Sequence, residues 1–275
     1  MDTVLSLNKV AIIYNESVFE AKQVAQNIMN SFKNLNIPCE IFKSSLPCAD
    51  ASIVITIGGD GTLLKTARYY APLDIPLLGI NMGRLGFLAQ ANPDEIDGLL
   101  NKLVLGQYKI QSRMMLAADN ENITALNDIV IKGDSFSRTA KLFLSINDKV
   151  VCEYLADGII VATPTGSTAY TLSAGGPVIV PEIDAIVIVP ICPHTLTARP
   201  LVIPSHEVVK IYSSDNCNKM RLSADGQNSV DIKANNFVEI KKSSVSAKLV
   251  IPDSEDNAFY SILRKKLQWG VSPVR

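Results

Sequence analysis

The N-terminal part of the chain alternates short apolar runs with longer segments that have helical spacing. The apolar runs predict strands at 10–14, 39–42, 52–57 and 76–81, and the near-continuous apolarity of 52–57 is typical of a parallel strand buried on both faces. The helical spacing predicts helices at 17–35, 62–70 and 93–105. This β-α-β order indicates an α/β domain with a mostly parallel sheet.

The pattern changes near Lys109, where many short β-type runs begin and polar turns such as Asp225-Gly226 separate them. Strands are predicted at 114–118, 124–132, 141–146, 150–154, 158–163, 185–190, 208–213, 220–224, 230–232 and 237–241. These runs indicate an antiparallel β domain. A last helix at 256–267 is predicted to dock through Leu263, Leu267 and Trp269.

Composition restricts the class of protein. Hydrophobic residues make up 47% of the chain and charged residues 19%, which is ample for a packed core, and the net charge of −1 offers no basic excess for binding nucleic acid. The five cysteines are scattered without a CxxC pair, so neither a metal site nor a disulfide framework is indicated. The longest apolar stretches are far below the roughly 18 residues needed to span a bilayer. We therefore expect a cytoplasmic protein without a membrane partner.

A glycine-rich segment formed by Gly58, Gly59, Asp60, Gly61 and Thr62 follows a predicted buried strand and opens a predicted helix. Glycines let backbone N–H groups approach phosphate oxygens, and a helix N-terminus favours anions. A carboxylate in that setting is suited to accept a proton from an attacking hydroxyl or to hold a magnesium ion. The alternative is a tight turn in which Asp60 caps the helix, and these five residues alone favour neither. The spacing matches neither a Walker A loop nor the dinucleotide fingerprint of oxidoreductases.

Two further regions combine polar residues with predicted strands. The segment from Asp157 to Pro177 is rich in hydroxyls and glycines, and its Tyr170 is suited to border an adenine ring, although an ordinary Ser/Thr loop is the alternative. Asn127 and Asp128 stand together in an otherwise apolar run, so one of them must face inward or a bulge must intervene. A ligand hydroxyl would satisfy the inward residue, but a hairpin edge is the commoner explanation.

Taken together these motifs closely resemble the NAD kinase family. The resemblance rests on Gly58–Thr62, on Asn127-Asp128 in place of an Asn-Glu pair, and on the block from Thr163 to Pro177. It extends over the segments 184–186, 190–196, 198–201 and 224–227, and so covers most of the chain from 53 to 228. The fold that it implies is a Rossmann-like α/β domain at 1–108, completed by a returning tail at 252–275, and a β-sandwich-like domain at 109–251.

The resemblance also implies an activity and a set of roles. The implied reaction is phosphorylation of the 2′-hydroxyl of the adenosine ribose of NAD by ATP, with Mg²⁺ or another divalent cation carried mainly by the nucleotide phosphates rather than by a protein metal site. Asp60 would accept the proton, with Gly61 lining the NAD site and Lys65 near a phosphate. The residues implied to contact or border the dinucleotide are Asn127, Asp128, Arg138, Asp157, Thr165, Thr168, Ala169, Tyr170, Thr171, Leu172, Ser173 and Gln227.

The family's pattern implies a homodimer or homotetramer with shared sites, in which Gln227 reaches toward NAD on a neighbouring subunit. Asp128 is one methylene shorter than the usual Glu, and Val180 stands where a histidine is often seen. Two alternatives remain: a lipid kinase of the diacylglycerol or sphingosine type, which shares a similar glycine loop, and a non-catalytic NAD-binding sensor. The sequence leaves open the choice between ATP and polyphosphate, and between NAD and NADH.

Overall fold

The computed structural model describes residues 5, 7–43, 48–83, 86–88, 91, 93–119, 122–133, 139–213, 220–233, 236–253 and 259–268. The chain divides into two compact units. The first contains Met1–Ser112 together with Ala247–Arg275, and the second contains Arg113–Ser246. Each unit has its own hydrophobic core.

The first unit begins with alternating strands and helices. The elements in chain order are β1 (Val10–Tyr14), α1 (Ala21–Asn34), β2 (Cys39–Lys43), β3 (Ile53–Gly58), α2 (Asp60–Tyr70), β4 (Leu77–Asn81) and α3 (Ile96–Val104). The strands are parallel in the order β2-β1-β3-β4, with Ile12 aligned with both Ile41 and Ile55. Strands β1, β3 and β4 are buried along their whole length, as the continuous apolar runs predicted.

The helix predicted at 17–35 begins later than expected, at Ala21, with Glu20 as its N-cap residue. The N–H of Ser17 is instead bound by the side-chain oxygen of Asn15 at 3.0 Å, which forms a local turn directly after β1. Ala21, Ala25, Ile28 and Phe32 form the buried face of the helix. The helical periodicity was therefore predicted correctly, but the helix begins four residues later than predicted.

The second unit is built from two antiparallel sheets. Its elements begin with β5 (Tyr108–Ala118), which starts in the first unit, and continue with β6 (Ile123–Ala125), β7 (Asp128–Gly133), β8 (Ala140–Ile146), β9 (Lys149–Ala156), β10 (Gly158–Ala162), α4 (Tyr170–Ser173), β11 (Ala185–Ile191), β12 (Leu201–Pro204), β13 (Val209–Ser213), β14 (Met220–Ala224), β15 (Asn228–Ile232) and β16 (Phe237–Pro252). One sheet has the strand order β12-β11-β10-β7-β14-β15. In the other, the first part of β16 is followed by β13, β8 and β9.

The inward faces of these two sheets form the core of the second unit, with Ile131, Ile159 and Leu222 from one sheet and Leu144 and Ile211 from the other. Alternate residues of the six-stranded sheet, such as Val130 and Ile160, point to its other face, where they meet Ala174 and Ile179. The segment between β10 and β11 therefore covers part of that outer face. Asn127, Asp128 and Tyr170, which are among the predicted site residues of the second unit, lie along this face and its strand ends.

The chain returns to the first unit through the second part of β16. Leu249 pairs in parallel with Leu77 of β4, and Val250 is fully buried in the core of the first unit. The last described helix, α5 (Phe259–Leu267), also belongs to this unit and buries Ile262 and Leu263. Leu267 is 39% exposed, and Trp269 lies outside the described residues. The predicted fold class, an α/β part with a parallel sheet and an antiparallel β-sandwich-like part, is confirmed.

Candidate active site and nucleotide site

The glycine-rich segment forms the turn from β3 into α2. Gly59 is the N-cap residue, with an extended backbone at φ −98° and ψ −178°, and Asp60 is the first residue of the helix. Among the described residues, no side chain caps this helix end, so the alternative in which Asp60 serves as the cap does not describe the turn. The partial positive charge at the start of α2 favours an anion at this turn, as expected for a glycine loop that opens a helix.

The carboxylate of Asp60 is held by the loop that follows β4. Its Oδ2 accepts the N–H of Phe87 at 2.9 Å, and its Oδ1 accepts the N–H of Leu88 at 3.2 Å. Gly86 packs so closely that a Cβ at this position would overlap Oδ1 of Asp60. Two backbone donors and one glycine thus set the orientation of a half-buried carboxylate.

The remaining predicted residues of the first unit surround Asp60 along the chain. Gly59 and Gly61 are exposed, and a Cβ at Gly59 would meet no atom within 4 Å, so this side of the turn is open. The carbonyl oxygen of Thr62 accepts the hydroxyl of Thr66 at 2.9 Å. Lys65 is exposed on α2, about 140° around the helix axis from Asp60. A ligand that reached both side chains would have to extend around the helix surface.

The second unit contains a cavity of about 570 Å³ on the outer face of its six-stranded sheet. Its lining comes from β7, from the β14–β15 hairpin and from the segment that covers the sheet. The lining residues are Asn127, Asp128, Val130, Lys132, Gly133, Ala169, Tyr170, Arg221, Ser223, Asp225 and Gly226. Four predicted site residues, Asn127, Asp128, Ala169 and Tyr170, are thus brought together. The volume is typical of a pocket for a small organic ligand.

The charges along this cavity follow from the strand register. Lys132 of β7 is aligned with Arg221 of β14, and Val130 is aligned with Ser223. Since alternate residues share one face of a strand, Asp128 follows on the same face as Lys132, about 13 Å along the strand. The cavity therefore has a cationic end and, at Asp128 and Asp225, an anionic end. The ammonium group of Lys132 also lies 5.3 Å from the centre of the Tyr170 ring.

The anionic end is organised by Asp225 at the turn between β14 and β15. Its carboxylate accepts the backbone N–H groups of Leu126, Asn127 and Asp128 at 3.1, 2.7 and 3.3 Å. Asp225 and Gly226 both adopt positive φ angles, of 51° and 64°, which close the hairpin. The strand predicted at 124–132 is consequently two strands, because Leu126 and Asn127 direct their N–H groups to this carboxylate instead of to a neighbouring strand.

Asp128 is the buried member of the polar pair and is 5% exposed, although it lies on the outer face of the sheet with Val130. Burial, and secondarily the negative charge of Asp225, raise the pKa of Asp128 to about 7. Because both causes penalise the ionised form, this carboxyl group exchanges its proton near neutral pH. It is therefore able to act as a hydrogen-bond donor as well as an acceptor toward a ligand hydroxyl.

The Thr163–Gly166 turn packs against Leu126 and Asn127. The hydroxyl of Thr163 donates to the carbonyl oxygen of Leu126 at 2.6 Å and accepts the N–H of Gly166 at 3.0 Å. A Cβ at Gly166 would overlap the carbonyl oxygen of Asn127, so only glycine fits this approach. Ser167, which is fully buried, binds the carbonyl oxygen of Pro164 and the N–H of Ile179. Most hydroxyls of this turn therefore hold the loop together.

Several predicted residues lie outside the described lining of the cavity. Thr165 is buried and accepts a hydrogen bond from Arg113 at 3.4 Å. Thr171 is fully buried, and its hydroxyl has no hydrogen-bond partner within the part of the chain that the structure describes. Thr168 and Leu172 are half-buried, Ser173 is exposed, and Thr168 donates to the carbonyl oxygen of Thr165 at 3.2 Å. Asp157 is exposed just before β10, and Gln227 is exposed at the tip of the β14–β15 hairpin. Arg138 lies outside the described residues.

Sequence reasoning missed three of the charged lining residues. Asp225 was recognised in a polar turn and in the segment 224–227 of the family resemblance, but it was given no role in the site, although an Asp-Gly turn places a carboxylate at the end of a strand. Lys132 and Arg221 were not selected, although the alternation of Asp128, Val130 and Lys132 along one strand places all three on one face. The cross-strand register that joins them is a tertiary feature and is not present in the local pattern.

Two further observations bear on the expected partners. Among the described residues, no three His, Cys, Asp or Glu side chains are grouped so that they could hold a metal ion. Within the same residues, no helix has both the length and the apolar character that a membrane crossing requires.

Comparison with known proteins identifies the family. Residues 45–108 match the family model described as the ATP-NAD kinase N-terminal domain, and residues 126–251 match the ATP-NAD kinase C-terminal domain. The chain is 35% identical to the NAD kinase of Moorella thermoacetica, over 97% of this chain and 91% of that protein. It is 43% identical to the NAD kinase of Caldanaerobacter subterraneus subsp. tengcongensis, over 79% of this chain and 78% of that protein.

Solved structures agree with this assignment. The crystal structure of an NAD kinase from Archaeoglobus fulgidus in complex with ATP superposes with a TM-score of 0.78 at 26% identity, and covers 93% of this chain and 98% of that chain. Yeast NADH kinase complexed with NADH shares the fold, with a TM-score of 0.84 at 21% identity, and covers 100% of this chain and 93% of that chain. The matched segments include the glycine turn at Asp60 and the cavity at Asp128, and the chain belongs to the NAD kinase family.

Proposed function

We propose that Asp60 orients the 2′-hydroxyl of the adenosine ribose of NAD and accepts its proton as the phosphoryl group is transferred. The reaction, phosphorylation of NAD to NADP with ATP as donor, is that of the family to which the chain belongs. The observation that carries the role of Asp60 is its position in the first turn of α2, with both carboxylate oxygens oriented by backbone N–H groups. Phosphoryl transfer depends mainly on positioning and charge neutralisation, so an oriented carboxylate is suited to it.

The rest of the first unit's site is proposed to bind the phosphates of the donor. Gly59 and Gly61 leave the turn open, buried Gly58 lets the chain pass close to Thr62, and the N-terminus of α2 favours negative charge. Lys65 is proposed to approach a phosphate oxygen from the exposed surface of the helix. The divalent cation, proposed to be Mg²⁺, arrives with ATP as part of the substrate and neutralises charge on the transferred group.

The cavity of the second unit is proposed to bind the dinucleotide. Its volume of about 570 Å³ and the partly exposed ring of Tyr170 suit an adenine with its ribose. Asn127 and Asp128 are proposed to bind hydroxyl groups at the anionic end. Thr168 to Ser173 are proposed to border the adenosine half, with Thr165 behind them and Asp157 at the entrance to β10.

The oligomeric state and cellular location are also proposals. A homodimer or homotetramer with shared sites is supported by the exposure of Gln227 at the tip of a hairpin, from which it would reach NAD bound to a neighbouring subunit. A cytoplasmic location is proposed from the sequence alone. Sedimentation of the purified chain would measure the subunit number directly.

The Asp60→Asn variant tests the role of this carboxylate. The amide keeps the size of the side chain but cannot accept a proton, so we expect kcat to fall by about 10²- to 10⁴-fold while the Kd for NAD stays within about twofold. Asp74→Asn is the control, because Asp74 is an exposed carboxylate of the same unit that pairs with Lys248. Wild-type turnover in purified Asp60→Asn protein would remove Asp60 from the mechanism.

A coupled assay for NADP also decides the alternatives left by the sequence. Because the chain belongs to the NAD kinase family, the alternative of a lipid kinase is excluded. An NAD-binding sensor would bind the dinucleotide without consuming ATP, whereas the proposed enzyme consumes one ATP for each NADP formed. Running the assay with ATP or polyphosphate, and with NAD or NADH, measures the preference for each substrate.

A further inference from the structure

The orientation of Asp60 depends on a loop from another part of the first unit. The N–H groups of Phe87 and Leu88 each bind a different oxygen of the carboxylate, at 2.9 and 3.2 Å. A bidentate hold of this kind fixes both the position and the rotation of the carboxylate plane.

Gly86 makes this close approach possible. Its φ angle is not in the left-handed region, so its backbone conformation does not by itself require glycine. What requires glycine is space, because a Cβ here would overlap Oδ1 of Asp60 and crowd the other carboxylate atoms. Gly83, which begins the same loop, has no atom within 4 Å of the position that a Cβ would take. The two glycines therefore differ in their contact with Asp60 and form a matched pair.

The C-terminal helix holds the loop from its other side. The ammonium group of Lys266 on α5 lies 4.6 Å from the centre of the Phe87 ring, a distance at which a cation and an aromatic face attract each other. The helix is itself attached to the core of the first unit through buried Ile262 and Leu263. Lys266 therefore connects a fixed helix to the residue whose N–H binds Asp60.

We propose that Gly86–Leu88 is a positioning element for the reactive carboxylate of Asp60, and that Lys266 of the C-terminal helix keeps this element in place. The inference rests on the proposed role of Asp60 and adds residues that do not themselves touch the reacting atoms. It predicts that disturbing the loop lowers turnover without weakening substrate binding, because a carboxylate displaced by about 1 Å costs on the order of 10²-fold in rate.

The main test compares Gly86→Ala with Gly83→Ala in NADP formation. We expect Gly86→Ala to lower kcat by about 100-fold while the KM for NAD and for ATP stays within about threefold, and we expect Gly83→Ala to keep wild-type kcat. Thermal unfolding is measured for both variants. A Gly86→Ala enzyme with wild-type kcat and an unchanged Tm would overturn the proposal.

Lys266 variants decide the outcome if Gly86→Ala proves too unstable to assay. Lys266→Met should lower kcat by about two- to fivefold with KM unchanged, and Lys266→Arg should restore it, because both cations attract the ring face. Arg264→Met, an exposed charge change on the same helix, should have no effect. Wild-type kcat in Lys266→Met, or an equal loss in Arg264→Met, would contradict the role of Lys266.

A wrong role for Asp60 and a wrong role for the Gly86–Leu88 loop give different kinetic results. If Asp60→Asn retains turnover, the proposed chemistry is wrong and the loop has no reactive group to position. If Asp60→Asn is inactive while Gly86→Ala and Lys266→Met both turn over normally, only the positioning inference is wrong. A Phe87→Leu, Lys266→Met double variant adds a further check, since its loss in kcat should not exceed that of the larger single loss if the two side chains act together.

Discussion

The two units of the chain use the same contact, a carboxylate bound to the backbone of a distant loop, in opposite ways. In the first unit the loop orients the carboxylate, because the N–H groups of Phe87 and Leu88 donate to Asp60. In the second unit the carboxylate orients the loop, because Asp225 accepts three backbone N–H groups and so fixes the turn that contains Asn127 and Asp128. Glycine is needed at both contacts, at Gly86 and at Gly166.

The comparison shows that an acidic residue beside a loop is not evidence of one kind of role. Asp60 begins a helix after an open glycine turn, where a substrate phosphate is favoured. Asp225 closes a hairpin and lies beside a second, buried carboxyl group. The first arrangement favours chemistry, and the second favours structure and the control of protonation. Variants of Asp60 should therefore change turnover, whereas variants of Asp225 should change stability and binding together.

Removal of the Asp225 carboxylate should have the largest effect on the second unit. Asp225→Ala leaves the N–H groups of Leu126, Asn127 and Asp128 without their charged acceptor, and we expect a loss of about 3–5 kcal/mol in stability. We also expect the KM for NAD to rise at least about tenfold, because the turn that lines the cavity is released. Thermal unfolding and NADP formation measure the two effects.

The control for Asp225→Ala is Asp231→Ala, which removes an exposed carboxylate from the neighbouring strand. Asp231 pairs with Arg221 at 2.9 Å, with both side chains more than half exposed, and such pairs contribute about 0–1 kcal/mol. Equal losses of stability in Asp225→Ala and Asp231→Ala would show that Asp225 contributes only through its negative charge and not through its hydrogen bonds to the turn. An unchanged Tm in Asp225→Ala would contradict the role assigned to it.

The pH dependence of stability should distinguish the buried carboxyl group from exposed ones. The folded-state pKa of Asp128 is about 7 against an ordinary value of 3.8, so folding takes up a proton between those values. The contribution of this group to stability is therefore complete below about pH 4 and is lost as the pH rises toward 7. Asp128→Asn removes this loss, part of which is already present at pH 5, so we expect the stability gain of the variant over the wild type to be larger at pH 8 than at pH 5 by about 1–2 kcal/mol.

Thermal unfolding at the two pH values checks this sign. This difference in gain between pH 5 and pH 8 corresponds to roughly 2–6 °C in Tm for a chain of this size. Asp157→Asn is the matched control, since Asp157 is an exposed aspartate of the same unit, and its effect should not differ between pH 5 and pH 8. A gain for Asp128→Asn that is equal at both pH values would mean that ionisation of Asp128 is not its cause.

The sequence was sufficient for the fold because the fold depends on local periodicity. The continuous apolar runs predicted β1, β3 and β4 within one or two residues, and the change to short alternating runs predicted the antiparallel sheets. The strand β12 was missed because its four residues end in Pro204 and follow Pro200, which weakens any strand signal. The predicted strand at 124–132 failed where Asp225, nearly a hundred residues later, takes up the backbone donors.

The site was less accessible to sequence reasoning for the same physical reason. Family motifs predicted site roles for Asp60, Asn127, Asp128 and Tyr170, but the groups that hold these residues are defined by tertiary contacts. Gly86 is a glycine because of an oxygen atom twenty-six positions earlier, and Lys132 faces the cavity because of the register between β7 and β14. Such residues become visible only when the strands are aligned and the loops are placed.

The smallest predicted effect concerns the cationic end of the cavity. Lys132 lies 5.3 Å from the centre of the Tyr170 ring, and a contact of this kind contributes about 0.5–1 kcal/mol at an exposed site. If the contact orients the ring for an adenine, Lys132→Gln should raise the KM for NAD by about two- to fivefold and leave kcat unchanged.

Lys141→Gln is the control, because Lys141 makes the same kind of contact with Phe143 at 5.4 Å in the other sheet. Lys132 also faces Arg221 across the strands, so its removal should leave the Tm unchanged or raise it slightly by relieving repulsion. An equal rise in KM for both variants would show that the effect is not specific to the cavity, and an unchanged KM in Lys132→Gln would show that Tyr170 needs no cation to bind the base.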